Sequence, residues 1–348
     1  MKVAIDKNSI NQIKNFNEYE YIYIFENETI SELLKTNLHC IHKDYLKDEV
    51  DINLSNYNVN CFKKANVNDK DWYKLPEIKE NKYAIIVPNY NNDHGNYNGK
   101  TYLQNCIESI LNQTYKKFEL IFVDDVSTDN SVNTVKEYAD KRIHIIKNIR
   151  KRYNGGSRNV GIEYAKKINC DYICFLDSDD WWKHENVLEH INRKICNYDM
   201  MILGCEMLFE NGIGYKTYND FNTYEDVFFC INKVWCTAWS RVIKTNKIVY
   251  FCEDTLMEDR VWSYKQADNL EFEKIINLNE IVYVWNRLNV NNSVSLVRGE
   301  FWNASAWCHI GHQLQFLSNM KHTEFKGKLT DRIKSCINKA NSKVYQQY

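Results

Sequence analysis

The chain has 348 residues, 44% of them hydrophobic and 14% aromatic, which is enough for a sizeable core. Its 45 basic and 46 acidic side chains give a formal net charge of −1, so no overall field draws it to nucleic acid or anionic lipid. No apolar run reaches the roughly 18–20 residues of a membrane helix, and residues 1–7 lack the apolar core of a secretion signal. These features predict a cytoplasmic protein.

Twelve cysteines occur, yet no two of them have the C-x-x-C spacing that is typical of zinc sites. Several fall inside apolar periodic segments: Cys106, Cys170, Cys174 and Cys205. We therefore predict buried free thiols in a reducing compartment.

Residues 1–80 are polar and predict a small N-terminal α/β accessory domain, with a strand at 21–25 and a short helix at 29–35. The charged stretch 66–81, which contains Pro76, indicates a linker. No catalytic spacing occurs in this part of the chain. Acceptor recognition and oligomer contact are the two roles that we expect for it.

From Tyr83 onward, apolar runs alternate with segments of helical periodicity. The predicted strands are 83–87, 118–123, 143–146 and 172–176, and the predicted helices lie around 103–111, 131–139 and 157–167. This alternation favours βαβ units in a Rossmann-like, mainly parallel sheet with flanking helices. Since ligands bind at the carboxyl ends of such strands, the four strand ends are predicted to form one site.

Each predicted strand end carries polar groups. The four segments are Pro88-Asn89-Tyr90-Asn91, Asp124-Asp125-Val126-Ser127-Thr128-Asp129, Asn154-Gly155-Gly156-Ser157-Arg158-Asn159 and Asp177-Ser178-Asp179-Asp180. Carboxylates crowded at the end of the fourth strand suit Mg²⁺ or Mn²⁺ shared with a substrate phosphate. The alternative is an acidic turn that caps a helix predicted at 183–197.

In order and spacing, these segments resemble family 2 glycosyltransferases of the GT-A fold, over about residues 82–183. The resemblance continues more loosely to about residue 295, through residues 234–241, Met257-Glu258-Asp259, Tyr283-Val284-Trp285-Asn286-Arg287 and Ser293-Val294-Ser295. The resemblance implies a glycosyltransferase domain at 81–296 and a C-terminal helical extension at 297–348. The chain departs from the family in a longer first loop at 91–100 and in Val126, where glycine is more usual.

The resemblance implies a nucleotide site at the first two strand ends. Asp125 is expected to bind the edge of the nucleobase, because a carboxylate accepts the imide proton of uracil. Pro88 and Tyr90 are expected to flank the base, and Asp125 is preferred to Asp124 as the direct contact. The alternative for Asp124 and Asp125 is that they cap the helix starting near Ser131.

A metal site is implied at the fourth strand end, with Mn²⁺ or Mg²⁺ as the cofactor. Asp179 is the first choice as metal ligand, and Asp177 is expected to reach either the metal or the ribose hydroxyls. Ser178 between them is assigned to nucleotide binding. Asp180 is expected to face the donor sugar or the acceptor.

Two arginines are candidates for the diphosphate. Arg158 follows a glycine pair at a helix start, where its guanidinium and free backbone amides suit phosphate oxygens. Pairing with the carboxylates of 177–180 is an equally open role for Arg158 and is compatible with the first. Arg287 is expected to reach the diphosphate from the closing segment, or else to be a solvated arginine at a strand end.

Asp259 is nominated as the general base by the family pattern, with Glu258 beside it. Adjacent residues on a helix point about 100° apart, so only one of them is expected to face the acceptor. Glu253 and Asp254 are held in reserve. The alternative for Glu258 and Asp259 is a helix N-terminus or an ion pair with Arg260.

The expected function is metal-dependent, inverting transfer of a sugar from a nucleoside diphosphate sugar, UDP-linked, to a hydroxyl on a glycan or lipid-linked sugar. A peptide side chain, a hydroxymethylated DNA base and a catalytically silent binding module remain alternatives. A basic amphipathic helix near the C-terminus suits peripheral contact with the inner face of a membrane, or packing back onto the domain. His309 and His312 are three apart on a predicted helix, but no third metal ligand is near in sequence.

Overall fold

The structure is a computed structural model, and it forms two compact units, Met1–Ile78 and Lys79–Tyr348. It describes residues 2–5, 21–24, 79–150, 153–195, 197–218, 221–231, 234, 236–288 and 300–341. In the first unit, strand β1 (Lys2–Ile5) pairs in parallel with β2 (Tyr21–Ile24). The predicted helix at 29–35, most of the predicted linker and the motif at 293–295 lie outside the described residues. The predicted three-part division of the chain remains a prediction.

The second unit contains nine strands of one sheet and eight α-helices within its described residues. In chain order they are β3 (Tyr83–Asn89), α1 (Tyr102–Leu111), β4 (Phe118–Asp124), α2 (Ser131–Glu137), β5 (Ile143–Lys147), α3 (Asn154–Lys167), β6 (Tyr172–Phe175), β7 (Trp181–Trp182), α4 (Val187–Ile195), β8 (Met200–Phe209), β9 (Gly212–Thr217), α5 (Tyr224–Phe229), β10 (Arg241–Lys244), α6 (Glu258–Asp268), β11 (Ile275–Asn286), α7 (Glu300–Asn319) and α8 (Lys326–Asn341).

The sheet order is β5-β4-β3-β6-β10-β8-β11-β7, with β9 also paired to β8. The four strands predicted from sequence form the parallel half, β5-β4-β3-β6. Strand β10 runs antiparallel to both β6 and β8, and β11 runs parallel to β8. The predicted α/β fold with a Rossmann-like core is therefore confirmed, and a mixed half extends the sheet.

Both faces of the parallel half are covered. Alternate residues of β3 enter two separate hydrophobic clusters, Tyr83, Ile85 and Val87 in one, and Ala84 and Ile86 in the other. Successive side chains of a strand point to opposite faces, so this split places helices on both sides of the sheet. Strands buried on both faces are continuous apolar runs, which is why the sequence predicted them.

Two predicted helix starts are wrong. Helix α3 begins at Asn154 rather than at 157, so the glycine pair predicted as a flexible loop belongs to its first turn. Helix α4 begins at Val187 rather than at 183, because β7 first pairs with β11 and the amide of Lys183 donates to the carbonyl of Val282.

The first glycine of that pair has a packing requirement. A Cβ at Gly155 would lie 2.2 Å from the carbonyl oxygen of Cys252, which is backbone. We expect Gly155→Ala to lower the free energy of unfolding by about 1–3 kcal/mol, since the backbone must shift to admit the methyl group. Urea denaturation measures the change.

Gly311→Ala is the matched control, because Gly311 lies within α7 and a Cβ added there would meet no atom of the described residues within 4 Å outside its own helix backbone. That substitution is expected to be neutral or to stabilise by up to about 1 kcal/mol, since alanine favours helix. Equal losses at the two glycines would contradict the close approach of α3 to Cys252.

Helices α7 and α8 pack on the rest of the second unit rather than standing apart. Phe228 of α5 and Tyr264 of α6 share a hydrophobic cluster with Phe316 of α7 and with Leu329 and Ile333 of α8. The apolar face of the basic helix is thus covered by protein. Among the described residues, none of the helices combines the length and apolar character needed to cross a membrane.

The cysteines in the described ranges are all free, and those predicted to be buried thiols are buried.

Candidate active site

A cavity of about 520 Å³ opens at the carboxyl ends of the parallel strands. Nine of the residues predicted for the site line it: Pro88, Tyr90, Arg158, Asp177, Ser178, Asp179, Asp180, Glu258 and Asp259. Asp124, Asp125 and Arg287 are not among its lining residues. Segments that are far apart in the sequence therefore meet at one sheet edge, as the strand topology predicts.

The fourth strand end supplies three carboxylates with different surroundings. Asp177 accepts a hydrogen bond from Arg158 at 2.8 Å. Asp180 is buried and accepts from the Tyr283 hydroxyl at 2.5 Å and from the Asn286 amide at 2.7 Å. Asp180 therefore ties the acidic turn to β11, and both its oxygens are held by protein groups.

Asp179 is half-buried at the cavity wall. Burial and the neighbouring charge of Asp177 raise the pKa of Asp179 to about 6, against a weaker opposing effect of Arg287. A carboxylate whose pKa is raised in this way lacks full compensation of its charge by protein groups. The pair Asp177 and Asp179 therefore fits a hard divalent cation, which carboxylate oxygens bind.

Arg158 connects the acidic turn to the start of α6. Its guanidinium is 1% exposed and donates from Nη2 to Asp177 at 2.8 Å, and from Nη1 to Glu258 at 2.8 Å and to Asp259 at 3.0 Å. Burial opposes the charge of Arg158, but the charges of Asp259, Asp177 and Glu258 outweigh it and raise the pKa of the guanidinium. The pairing role that the sequence left open is therefore present, and phosphate contact remains a prediction.

Replacing this arginine leaves the buried Glu258 and the partly buried Asp177 and Asp259 without their cation. We expect Arg158→Met to lower the free energy of unfolding by about 3–5 kcal/mol, because breaking a buried ion pair leaves uncompensated charge. Equilibrium urea unfolding measures the loss.

Arg150→Met is the matched control, because Arg150 also pairs with two glutamates, Glu163 and Glu253, but its side chain is 34% exposed. Its loss is expected to cost less than about 1 kcal/mol. If Arg158→Met and Arg150→Met had the same free energy of unfolding, the ion pairs of Arg158 would contribute no more to stability than the more exposed ones of Arg150.

Glu258 and Asp259 are the first two residues of α6, and they differ in access to the cavity. The Glu258 side chain is 7% exposed and that of Asp259 is 25% exposed. Burial raises the pKa of both carboxyls, against the opposing charge of Arg158. Both lie at a helix N-terminus, as the alternative from sequence held, but their ion-pair partner among the described residues is Arg158 rather than Arg260. Asp259 is the more accessible carboxylate.

The two carboxylates at the second strand end hold loops. Asp125 is buried and accepts from the Asn148 side chain at 2.7 Å and from the Tyr153 amide at 2.9 Å. Asp124 accepts from the Ser127 amide. Neither contacts the start of α2, where the Ser131 amide donates to Asp129 at 3.0 Å. The capping role considered for them is therefore wrong, and nucleobase binding remains a prediction.

The long first loop shapes one side of the cavity. Asn91, Asn92 and His94 contribute to the lining. Further along, the ring of Tyr97 stacks on Trp181 with centroids 4.8 Å apart, and Trp181 is only 8% exposed. An exposed tryptophan ring can stack on a sugar, but Tyr97 covers this one.

Arg287 follows the end of β11 and is not among the residues that line the cavity, although its charge acts on Asp179. Its guanidinium carbon is 5.2 Å from the centre of the Trp285 ring, and its amide donates to the carbonyl of Leu208. Contact with a diphosphate from this position remains a prediction.

Tyr283 and Asn286 are the residues that the sequence analysis missed, since they hold Asp180 in place. Both belong to the segment 283–287 that carries the family resemblance, so the signal was present. Their role was not visible, because it depends on β11 lying beside β7 in the sheet.

The family model described as "Glycosyl transferase family 2" matches residues 84–250. The Escherichia coli UDP-Glc:alpha-D-GlcNAc-diphosphoundecaprenol beta-1,3-glucosyltransferase WfgD is 38% identical over 99 residues, which are 28% of this chain and 35% of that protein. Four curated relatives are matched over only 35–43% of their own length.

Two solved structures share the fold. Staphylococcus aureus TarS 1-349 in complex with UDP-GlcNAc aligns with a TM-score of 0.55 and 19% identity, over 73% of this chain and 72% of that chain. The Pyrobaculum calidifontis mannosyltransferase PcManGT in complex with GDP-Man and Mn²⁺ aligns with a TM-score of 0.51 and 16% identity, over 90% and 80%. By the sequence match and the shared architecture, residues 84–250 form a glycosyl transferase family 2 domain on a GT-A fold.

Proposed function

We propose that this chain is a metal-dependent, inverting glycosyltransferase. It moves a sugar from a UDP-linked donor to a hydroxyl group on a glycan or a lipid-linked sugar. The observation that carries the proposal is the meeting of Asp177, Asp179 and Asp259 around one cavity at the strand ends. The nucleotide sugars bound in the two solved structures and the lipid-linked acceptor in the name of WfgD support the choice of substrates.

Donor binding is assigned to the first, second and fourth strand ends. Pro88 and the half-exposed Tyr90, which line the cavity, would flank the nucleobase, and Asp125 on the neighbouring strand end would bind its edge. Asp177 and Asp179 would hold Mn²⁺ or Mg²⁺, which offsets the negative charge that grows on the leaving diphosphate. Arg158 fixes the orientation of Asp177 from the buried side.

Asp259 is assigned as the general base. It accepts the proton of the acceptor hydroxyl while the acceptor oxygen attacks the anomeric carbon, and the bond from that carbon to the diphosphate oxygen breaks. Nucleophile and leaving group lie in line in such a displacement, so the anomeric configuration is inverted. Asp259 is preferred to Glu258 because more of its side chain reaches the cavity.

The direct test is release of nucleoside diphosphate by the purified chain from a panel of UDP-sugars and GDP-mannose, with Mn²⁺, with Mg²⁺ and with a chelator. Slow hydrolysis of one UDP-sugar that requires the cation is the expected result. Binding of a UDP-sugar without any turnover, in the presence of extracts of the source cell as acceptor, would instead identify a silent binding module. Equal rates in the chelator would overturn the role of the metal.

A further inference from the structure

A second cluster of ionisable side chains lies outside the cavity described above. His184 Nε2 is 3.0 Å from Oε1 of Glu280, and His190 Nδ1 is 2.8 Å from Oε2 of the same carboxylate. One potential ligand atom from each residue lies within 4.8 Å of the other two. The three side chains are each about one-third exposed, so an ion in solution reaches them.

The two histidines are held by a buried glutamine. His184 follows β7, and His190 lies on α4. Gln113, which is fully buried, donates to the carbonyl of His184 at 2.8 Å and accepts from the amide of Leu188 at 2.9 Å. This bridge fixes the loop that carries His184 against the helix that carries His190.

The carboxylate is positioned by an irregularity in β11. Its register with β8 shifts between Asn277 and Ile281, and Asn279 has a left-handed φ of 58°. A Cβ at Gly204 of β8 would lie 2.5 Å from the carbonyl oxygen of Glu280, so the close approach of the two strands there requires glycine. Glu280 is thus fixed by backbone geometry rather than by its side-chain partners alone.

We propose that His184, His190 and Glu280 form a binding site for a first-row transition-metal cation, with Zn²⁺ as the reference ion. Two imidazoles and one carboxylate are the ligand set that Zn²⁺ takes when a fourth position is left for water, whereas Mg²⁺ and Ca²⁺ prefer oxygen ligands. Tetrahedral bonds of about 2.0–2.1 Å place neighbouring ligand atoms about 3.4 Å apart. The two histidine–glutamate contacts, at 3.0 and 2.8 Å, are slightly shorter than this spacing, and all three ligand atoms already lie within 4.8 Å of one another.

Binding requires a neutral imidazole with the facing nitrogen unprotonated. Each ring must then carry its proton on the other nitrogen, Nδ1 for His184 and Nε2 for His190. A proton on Nδ1 of His184 displaces the hydrogen bond that this nitrogen accepts from the Asn186 amide. At 3.3 Å, that hydrogen bond is the longest contact in the cluster. The displaced contacts to Glu280 are replaced by bonds to the ion.

The ion would fasten β11 to β7 and α4. Strand β11 also carries Tyr283 and Asn286, which hold Asp180 in the acidic turn. The site would therefore stabilise the support behind the proposed donor site without contacting a substrate. The proposed metal site does not depend on the proposed transferase activity, and a measurement of metal binding is enough to test it.

The experiment is Zn²⁺ binding by the full chain after removal of metals, followed by isothermal titration and by competition with a chromophoric chelator. It is run on a chain carrying Asp179→Asn, so that the acidic turn does not supply the signal. About one equivalent of tightly bound Zn²⁺ is expected, with the visible absorption of a tetrahedral complex when Co²⁺ replaces it. Glu280→Gln and His190→Asn are each expected to weaken binding by about tenfold or more.

His312→Asn is the matched control, because His312 pairs with a carboxylate, Asp254, outside the cluster and is expected to leave Zn²⁺ affinity unchanged. Since Glu280→Gln removes the charge that both rings contact, His190→Asn provides a second variant that keeps the carboxylate. Equal Zn²⁺ affinity in all these chains, or no tight binding in the chain with the three residues intact, would overturn the proposal and leave a metal-free ion cluster.

Discussion

Asp179→Asn is expected to lower kcat for cation-dependent hydrolysis of the UDP-sugar by roughly 10³-fold, because the cation contributes several kcal/mol of stabilisation to the leaving diphosphate. The apparent affinity for Mn²⁺ in the presence of UDP should fall as well, since the substitution removes a charged oxygen ligand. Stopped-time assays of UDP release across a Mn²⁺ titration measure both effects.

Loss of folding does not explain such a result. Burial and the charge of Asp177 raise the pKa of Asp179, so the ionised carboxylate is less stable in the folded chain than in water. A neutral asparagine of similar shape should therefore leave the urea midpoint unchanged or raise it. Full turnover in Asp179→Asn, with Mn²⁺ dependence intact, would move the metal site away from the acidic turn.

The parallel half of the sheet could be predicted from the sequence because its central strands are buried. Strands β3 and β4 are buried on both faces, so they appear in the sequence as apolar runs of nearly constant character. Each run stops at polar residues, and parallel topology then brings those stops to one edge. The convergence of Asp177, Asp179 and Asp259 on a single cavity follows from that rule and from the family resemblance.

The partners of those residues were not predictable in the same way. Arg158 meets Glu258 across 100 positions of sequence, and His184 meets Glu280 across 96. Whether a charged side chain faces a substrate or a protein group depends on tertiary distances, which no local pattern contains. For the same reason His309 and His312, which are near in sequence, could be picked out as a pair, whereas the cluster of His184, His190 and Glu280 could not.

Val126 departs from the family pattern at a position with an unusual backbone conformation. Glycine is more usual there, and Val126 has a φ of 64°, in the left-handed region that β-branched residues rarely adopt. The side chain is 44% exposed, so no packing contact requires it to be valine. The turn after β4 therefore holds a β-branched residue in a left-handed conformation, and the hydrogen bond from the Ser127 amide to Asp124 is part of what holds the turn.

Asp259→Asn is expected to lower kcat by about 10²–10⁴-fold and to leave the affinity for the UDP-sugar nearly unchanged, because a general base acts on the acceptor and not on the nucleotide. This separates it from Asp179→Asn, which should weaken cation-dependent donor binding. Steady-state UDP release gives kcat, and fluorescence-detected titration of the donor gives affinity.

Glu258→Gln is the matched comparison, since the two carboxylates are adjacent on α6 and both accept from Nη1 of Arg158. Each substitution leaves Arg158 paired with Asp177 and one other carboxylate, so the change in ion-pair network is similar for both. The Glu258 side chain is 7% exposed against 25% for Asp259, so its replacement should reduce kcat by less than about tenfold. If Glu258→Gln abolished turnover while Asp259→Asn kept a rate close to that of the parent chain, the base would be Glu258, and a rearrangement of the start of α6 would have to expose it to the acceptor.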